Sequence, residues 1–133
     1  MENTSLHHPS PRVLVIDDEE KVCTALRRSL RDQGDTTTIS SPKLALLHLQ
    51  EGARYDLVFC DLRMPGMSGA ELYRELLRVA PEQAARVVFM TADADRREHS
   101  EFLSRVGNVF IEKPFDIQRV RELAIGSSPY VAS

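Results

Sequence analysis

Four apolar runs in this chain each end on a polar residue able to do chemistry. Val13-Leu14-Val15-Ile16 runs into Asp17-Asp18, and Leu57-Val58-Phe59-Cys60 into Asp61. Val87-Val88-Phe89-Met90 runs into Thr91, and Val109-Phe110-Ile111-Glu112 into Lys113-Pro114. Short, near-continuous apolar runs are the pattern of strands covered on both faces. In an open α/β sheet, parallel strands bring their carboxyl ends to one edge, where ligands bind. The pattern therefore predicts three carboxylates, a hydroxyl and an ammonium in one crevice. Such a set can hold a divalent cation and a phosphoryl group.

The rest of the chain supplies what a sheet of that kind needs. Strands are expected over about 12–17, 35–40, 55–60, 86–90 and 108–112. The second, Asp35-Thr36-Thr37-Thr38-Ile39-Ser40, is polar and β-branched and suits an edge position. Helices alternate with the strands. The first, about 19–33, spaces Val22, Leu26 and Leu30 for one buried face and stops at Gly34. The second opens with Ser41 as cap and Pro42 at the first helical position. The third opens on a capping box, Ser68-Gly69-Ala70-Glu71, and is stopped by Pro81. A fourth, about 96–105, precedes Gly107, and a fifth covers about 116–125. The expected fold is α/β, a (βα)₅ chain with helices wound onto both faces of a five-stranded parallel sheet. The chemistry favours the flavodoxin-like order 2-1-3-4-5, which sets the ends of strands one and three side by side at a switch point.

At 133 residues the chain is expected to be one domain, 12–125, between a flexible tail at 1–11 and a tail or linker at 126–133. A net charge of −3 argues against a general affinity for nucleic acid or anionic membrane. No stretch approaches the roughly 20 apolar residues of a membrane span, and the first residues do not read as a signal peptide. Cys23 and Cys60 make no disulfide framework and read as reduced structural thiols, so a cytoplasmic location is expected. His7-His8 has no neighbouring acid or cysteine to complete a metal set.

Asp17, Asp18 and Asp61 cannot gather ionised without help. Two like charges about 4 Å apart repel by roughly 4 kcal/mol at an effective dielectric near 20. A cation bound through hard oxygens removes that penalty. Capping of the first helix explains Asp17-Asp18 alone, but not why Asp61, Thr91 and Lys113 also end strands. Asp61 is followed by a Pro65-Gly66 loop that leaves its carboxylate accessible, and an aspartate can act as a nucleophile that forms an acyl phosphate. Lys113 offers a point charge for phosphoryl oxygens, and Thr91 a hydroxyl donor. A cis Lys113-Pro114 bond is one way to turn the lysine inward.

Together these residues resemble the receiver domain of two-component response regulators, of the stand-alone chemotaxis and NtrC types, over about residues 12–125. The resemblance rests on Val13-Leu14-Val15-Ile16-Asp17-Asp18-Glu19, on Asp61-Leu62-Arg63-Met64-Pro65-Gly66-Met67-Ser68-Gly69, on Met90-Thr91-Ala92 and on Glu112-Lys113-Pro114-Phe115. It implies that Asp61 is the phosphoacceptor. It implies Mg²⁺, with Mn²⁺ as a substitute, bound directly by Asp18, Asp61 and the Arg63 carbonyl and through water by Asp17. Thr91 and Lys113 match the pair that senses the phosphoryl group, and Phe110 the aromatic switch position. Arg63 and Asp93 match positions that tune hydrolysis, and their opposite charges predict an ion pair over the site. The phosphoryl group would come from a histidine kinase or a histidine phosphotransfer protein. The output would pass to a downstream protein, or to a second copy, through the surface of the fourth helix, fifth strand and fifth helix.

Other readings are weaker. An aspartyl-phosphate phosphohydrolase usually carries a second acid two residues after its nucleophile, where Arg63 stands, so no turnover enzyme is expected. A nucleotide-binding fold needs a Gly-rich turn after the first strand, where Asp17-Asp18-Glu19 would repel a pyrophosphate. The alternatives are a regulatory fragment of a longer transcription regulator or hybrid kinase and, more weakly since all the core positions are filled, a docking module independent of phosphorylation.

Overall fold

A computed structural model describes residues 10–92 and 97–127. Five parallel strands form one sheet: β1 (Arg12–Ile16), β2 (Asp35–Ile39), β3 (Leu57–Asp61), β4 (Val87–Thr91) and β5 (Phe110–Glu112). Their order is β2-β1-β3-β4-β5, as the chemistry required. The long helices are α1 (Glu20–Ser29), α2 (Pro42–Gln50), α3 (Gly69–Val79), α4 (Ser100–Val106) and α5 (Ile117–Gly126). A further one-turn helix, Pro81–Ala84, follows α3 directly. The expectation that Pro81 only stops α3 is corrected here, since a proline that cannot continue one helix is pre-set for the first position of the next.

The pleat divides the core into two layers. Leu14, Ile16, Val58, Cys60 and Phe89 face α2, α3 and α4, and meet Leu49, Leu72, Leu76 and Phe102. Val13, Val15, Phe59, Val88, Met90 and Ile111 face α1 and α5, and meet Leu26, Leu30, Val120 and Ala124. Strands β1, β3 and β4 carry apolar groups on both faces because both faces are covered. Strand β2 is the polar edge, and β5 is the other edge.

Edge position also corrects the reading of the last apolar run. Val109 and Phe110 are 42% and 37% exposed, and β5 is only three residues long. The first helix is shorter than its pattern, ending at Ser29 with turns continuing to Gly34.

Local caps fix where the chain leaves the sheet. Ser41 Oγ accepts from Leu44 N and starts α2. Ser68 and Glu71 form the expected reciprocal capping box at α3. Gly107 ends α4 in the left-handed region, φ +74°. The start of α3 lies hard against β3: Gly69 N donates to Leu62 O at 2.9 Å, and a Cβ on Gly69 would stand 2.3 Å from the Asp61 carbonyl oxygen.

Candidate functional site

Sheet register brings the acidic residues together. Ile16 pairs with Cys60, so the next residues, Asp17 and Asp61, leave neighbouring strands side by side. Both follow residues of the α2–α3–α4 layer, so alternation turns them toward the α1 and α5 side. Asp17 is fully buried and Asp61 is 4% exposed. Lys113 comes from the segment after β5, where its backbone N–H donates to Thr91 O at 2.9 Å and its bond to Pro114 is cis.

The lysine bridges three carboxylates. Its Nζ lies 3.0 Å from Glu19 Oε1, 3.1 Å from Asp17 Oδ2 and 3.3 Å from Asp61 Oδ1. Asp17 Oδ1 also accepts from Glu19 N at 2.9 Å, which ties the carboxylate to the entry of α1. One ammonium does not neutralise these acids. Burial pushes Asp61 up to about 6, the charge of Asp17 adds to the shift, and Lys113 opposes it. Burial also raises Asp17, against the Glu19 N–H and the Lys113 charge. For Lys113, burial acts to lower the value, but the Glu19 hydrogen bond and the charges of Asp61 and Asp17 outweigh it and hold the ammonium above its usual range.

The donor set fits a divalent cation. One carboxylate oxygen each from Asp17, Glu19 and Asp61 lie within 4.8 Å of one another. All are hard oxygens, as Mg²⁺ prefers. Asp17 Oδ2 is buried and has no aligned hydrogen-bond donor, although the Lys113 charge stands beside it. A buried carboxylate oxygen left without a donor is costly, and a cation would relieve it.

The other predicted residues lie around this cluster. Asp18 is exposed and outside the tight group, yet close enough for its charge to raise Asp61. Glu19 takes a place in the cluster that the sequence reading did not assign to it. Thr91 is fully buried, and its hydroxyl donates to Ala92 O at 2.9 Å rather than to a carboxylate. Arg63 is exposed at the mouth, where its guanidinium pairs with Glu98 at 2.6 Å. Asp93, the partner expected for Arg63, lies outside the described residues. Cys60 is buried beside the site, and burial with the charges of Asp61 and Asp17 pushes its thiol well up, so it is not a nucleophile. A larger cleft of about 650 Å³ opens at the other end of the sheet and contains none of these residues.

Comparisons with known proteins agree on one family. The family model described as the response regulator receiver domain matches residues 13–125. A response regulator receiver protein of Anaeromyxobacter sp. (strain Fw109-5) is 35% identical over 114 residues, covering 84% of this chain and 46% of that protein. The phosphate regulon transcriptional regulatory protein PhoB of Rhizobium meliloti is 30% identical over 128 residues, covering 92% of this chain and 56% of PhoB. The chain thus spans about half the length of the curated relatives it matches. Among solved structures, a response regulator receiver protein from Pseudomonas putida is 30% identical with a TM-score of 0.74, covering 88% of this chain and 97% of that one.

Proposed function

This chain belongs to the response regulator receiver domain family, and on that footing we propose that Asp61 accepts a phosphoryl group from a phosphohistidine, with Mg²⁺ bound beside it. The observation that carries the reading is the Lys113 ammonium 3.3 Å from Asp61 Oδ1 and 3.1 Å from Asp17 Oδ2, at the switch point of the sheet.

In the transfer, a deprotonated Asp61 oxygen attacks phosphorus and the P–N bond to the donor imidazole breaks. The electron pair stays on the imidazole, which leaves as the neutral base when its other nitrogen carries a proton. The product is an acyl phosphate on Asp61. Asp18, Asp61 and the Arg63 carbonyl would hold the cation directly, with Asp17 acting through water and Glu19 as an added donor. Bound Mg²⁺ supplies positive charge toward the phosphoryl oxygens. Lys113 exchanges part of its carboxylate contact for a phosphoryl oxygen, and Thr91 turns its hydroxyl from Ala92 O toward another.

A switch between oppositely populated states needs about 5.5 kcal/mol of differential binding. Charge-assisted hydrogen bonds contribute roughly 1.5–3 kcal/mol each, so contacts from Lys113, Thr91 and one backbone N–H suffice. Thr91 has the pleat parity of Phe89, on the α4 side, and Phe110 pairs with Phe89 across the sheet. Phe110 follows Thr91 inward and buries the face it now exposes. With Phe110 withdrawn, Val109 and Ile117 remain on the altered α4-β5-α5 surface read by a downstream protein or a second copy. The donor is a histidine kinase or histidine phosphotransfer protein. The protein is a self-limited switch rather than a turnover enzyme.

A regulatory role inside a longer regulator is the second reading, favoured by the half-length coverage of the relatives, PhoB among them. The deciding experiment offers a small phosphodonor with Mg²⁺ and follows the mass of wild type and Asp61→Ala. Uptake that requires both Asp61 and the metal supports the proposal. Uptake that persists in Asp61→Ala, or multiple turnover of a phosphomonoester, overturns it.

A further inference from the structure

We propose a second anion site, for a small phosphate-bearing polyanion such as a di- or triphosphate, in the cleft between the carboxyl end of α1 and the edge strand β2. The cleft is about 440 Å³ and is lined by Thr24, Arg27, Arg28, Arg31, Gly34 and Thr36. It is independent of the phosphoacceptor reading, since it lies at the far end of α1 from Asp17 and Glu19.

Helical spacing builds it. Thr24, Arg27, Arg28 and Arg31 recur at intervals of three and four and share one face of α1 and its following turn. Compensation of the helix dipole accounts for one or two cations at a carboxyl terminus. It does not account for three arginines lining one concavity of a chain with net charge −3. Arg27 is held toward β2 by its hydrogen bond to Thr38 Oγ1 at 2.5 Å. Arg28 and Arg31 are exposed, and their side chains make no ion pair or hydrogen bond among the described residues. The acids of the same connection, Asp32 and Asp35, do not line the cleft.

The floor supplies an independent observation. Thr36 Oγ1 is buried and has no hydrogen-bond partner among the described residues. A buried hydroxyl is normally satisfied, and this one, on a residue that lines the cleft, lacks an acceptor. Guanidinium forks match phosphate oxygens in pairs, which separates this site from a general cation surface. The exposed large apolar side chains, among them Leu44, Leu47, Leu77 and Phe110, all lie elsewhere. A protein segment would lack an apolar anchor here, so a small polyanion is favoured.

The test titrates inorganic pyrophosphate into the Asp61→Asn protein in EDTA, which removes the acidic site and its metal from the readout. Amide NMR and calorimetry follow binding. The expected result is saturable binding that shifts Thr24, Gly34 and Thr36. It weakens about tenfold or more in Arg28→Ala/Arg31→Ala and severalfold in Thr36→Val. With Asp61 restored, Arg28→Ala/Arg31→Ala takes up phosphoryl on Asp61 as the wild type does. No saturation, or affinity unaffected by Thr36→Val, overturns the built site. Equal or tighter binding of an acidic heptapeptide overturns the assignment to a small polyanion.

Discussion

Lys113 Nζ stands 3.3 Å from Asp61 Oδ1, and the two side chains are 18% and 6% exposed. The pair couples the end of β3 to the segment after β5, two elements that are not neighbours in the sheet. Because both groups are withdrawn from water, each sets the charge state of the other.

Removing the cation should therefore cost more when the acids are ionised. Lys113→Met is expected to destabilise the metal-free protein by about 1–3 kcal/mol at pH 8. The loss shrinks at pH 5, where Asp61 takes up a proton instead. Urea unfolding at the two pH values measures the difference.

Asp61 itself opposes folding when charged. Its value rises from 3.8 to about 6 on folding, so between those values the folded state holds more protons than the unfolded one. The stabilising contribution of the neutral form is complete below about 4 and is lost as the pH climbs through 6. In EDTA, wild type should lose stability across that window. Asp61→Asn should lack that part of the slope and be more stable at pH 8 by on the order of 1–2 kcal/mol.

The cation should reverse the penalty. Mg²⁺ at ten times its dissociation constant stabilises the fold by about 1.4 kcal/mol through mass action. The rise in melting temperature should vanish in Asp18→Asn and in Asp61→Asn and be reduced in Asp17→Asn and Glu19→Gln. A melting series with and without Mg²⁺ decides it. An equal rise in all variants would place the ion elsewhere.

Arg63, two residues beyond Asp61 in the chain, forms an exposed ion pair with Glu98 at 2.6 Å. Arg63→Ala and Glu98→Gln are each expected to shorten the acyl-phosphate lifetime severalfold by opening a path for water. Intact mass followed over time after removal of the phosphodonor gives the rate. An unchanged lifetime in both variants separates the ion pair from hydrolysis.

Much of this was legible in the sequence, for physical reasons that differ by element. Strands β1, β3 and β4 announce themselves because burial on both faces forbids polar interruption. The Ser68 capping box and the Ser41-Pro42 start are short-range chemistry and survive into the fold. Strand order followed from the need to set Asp17 beside Asp61. What stayed hidden is long-range. Glu19 meets Lys113 across 94 positions, and Arg63 meets Glu98 across 35, and no local pattern encodes either. The run around Phe110 read as covered on both faces because a local apolar pattern does not register the edge place that the expected order gives the fifth strand. The cleft under α1 was missed because its arginines look, residue by residue, like a solvated helix end.

The contact at Gly69 has a consequence for how the domain can move. With no room for even a methyl group between that residue and the Asp61 carbonyl, and with Gly69 N bonded to Leu62 O, the front of α3 and the tip of β3 form one stiff bracket. A displacement begun at Asp61 finds no slack in that direction. It is expected to pass across the sheet instead, with α3 as the anvil against which the opposite flank is pushed. Gly69→Ala should force that bracket to shift although it adds and removes no charged group.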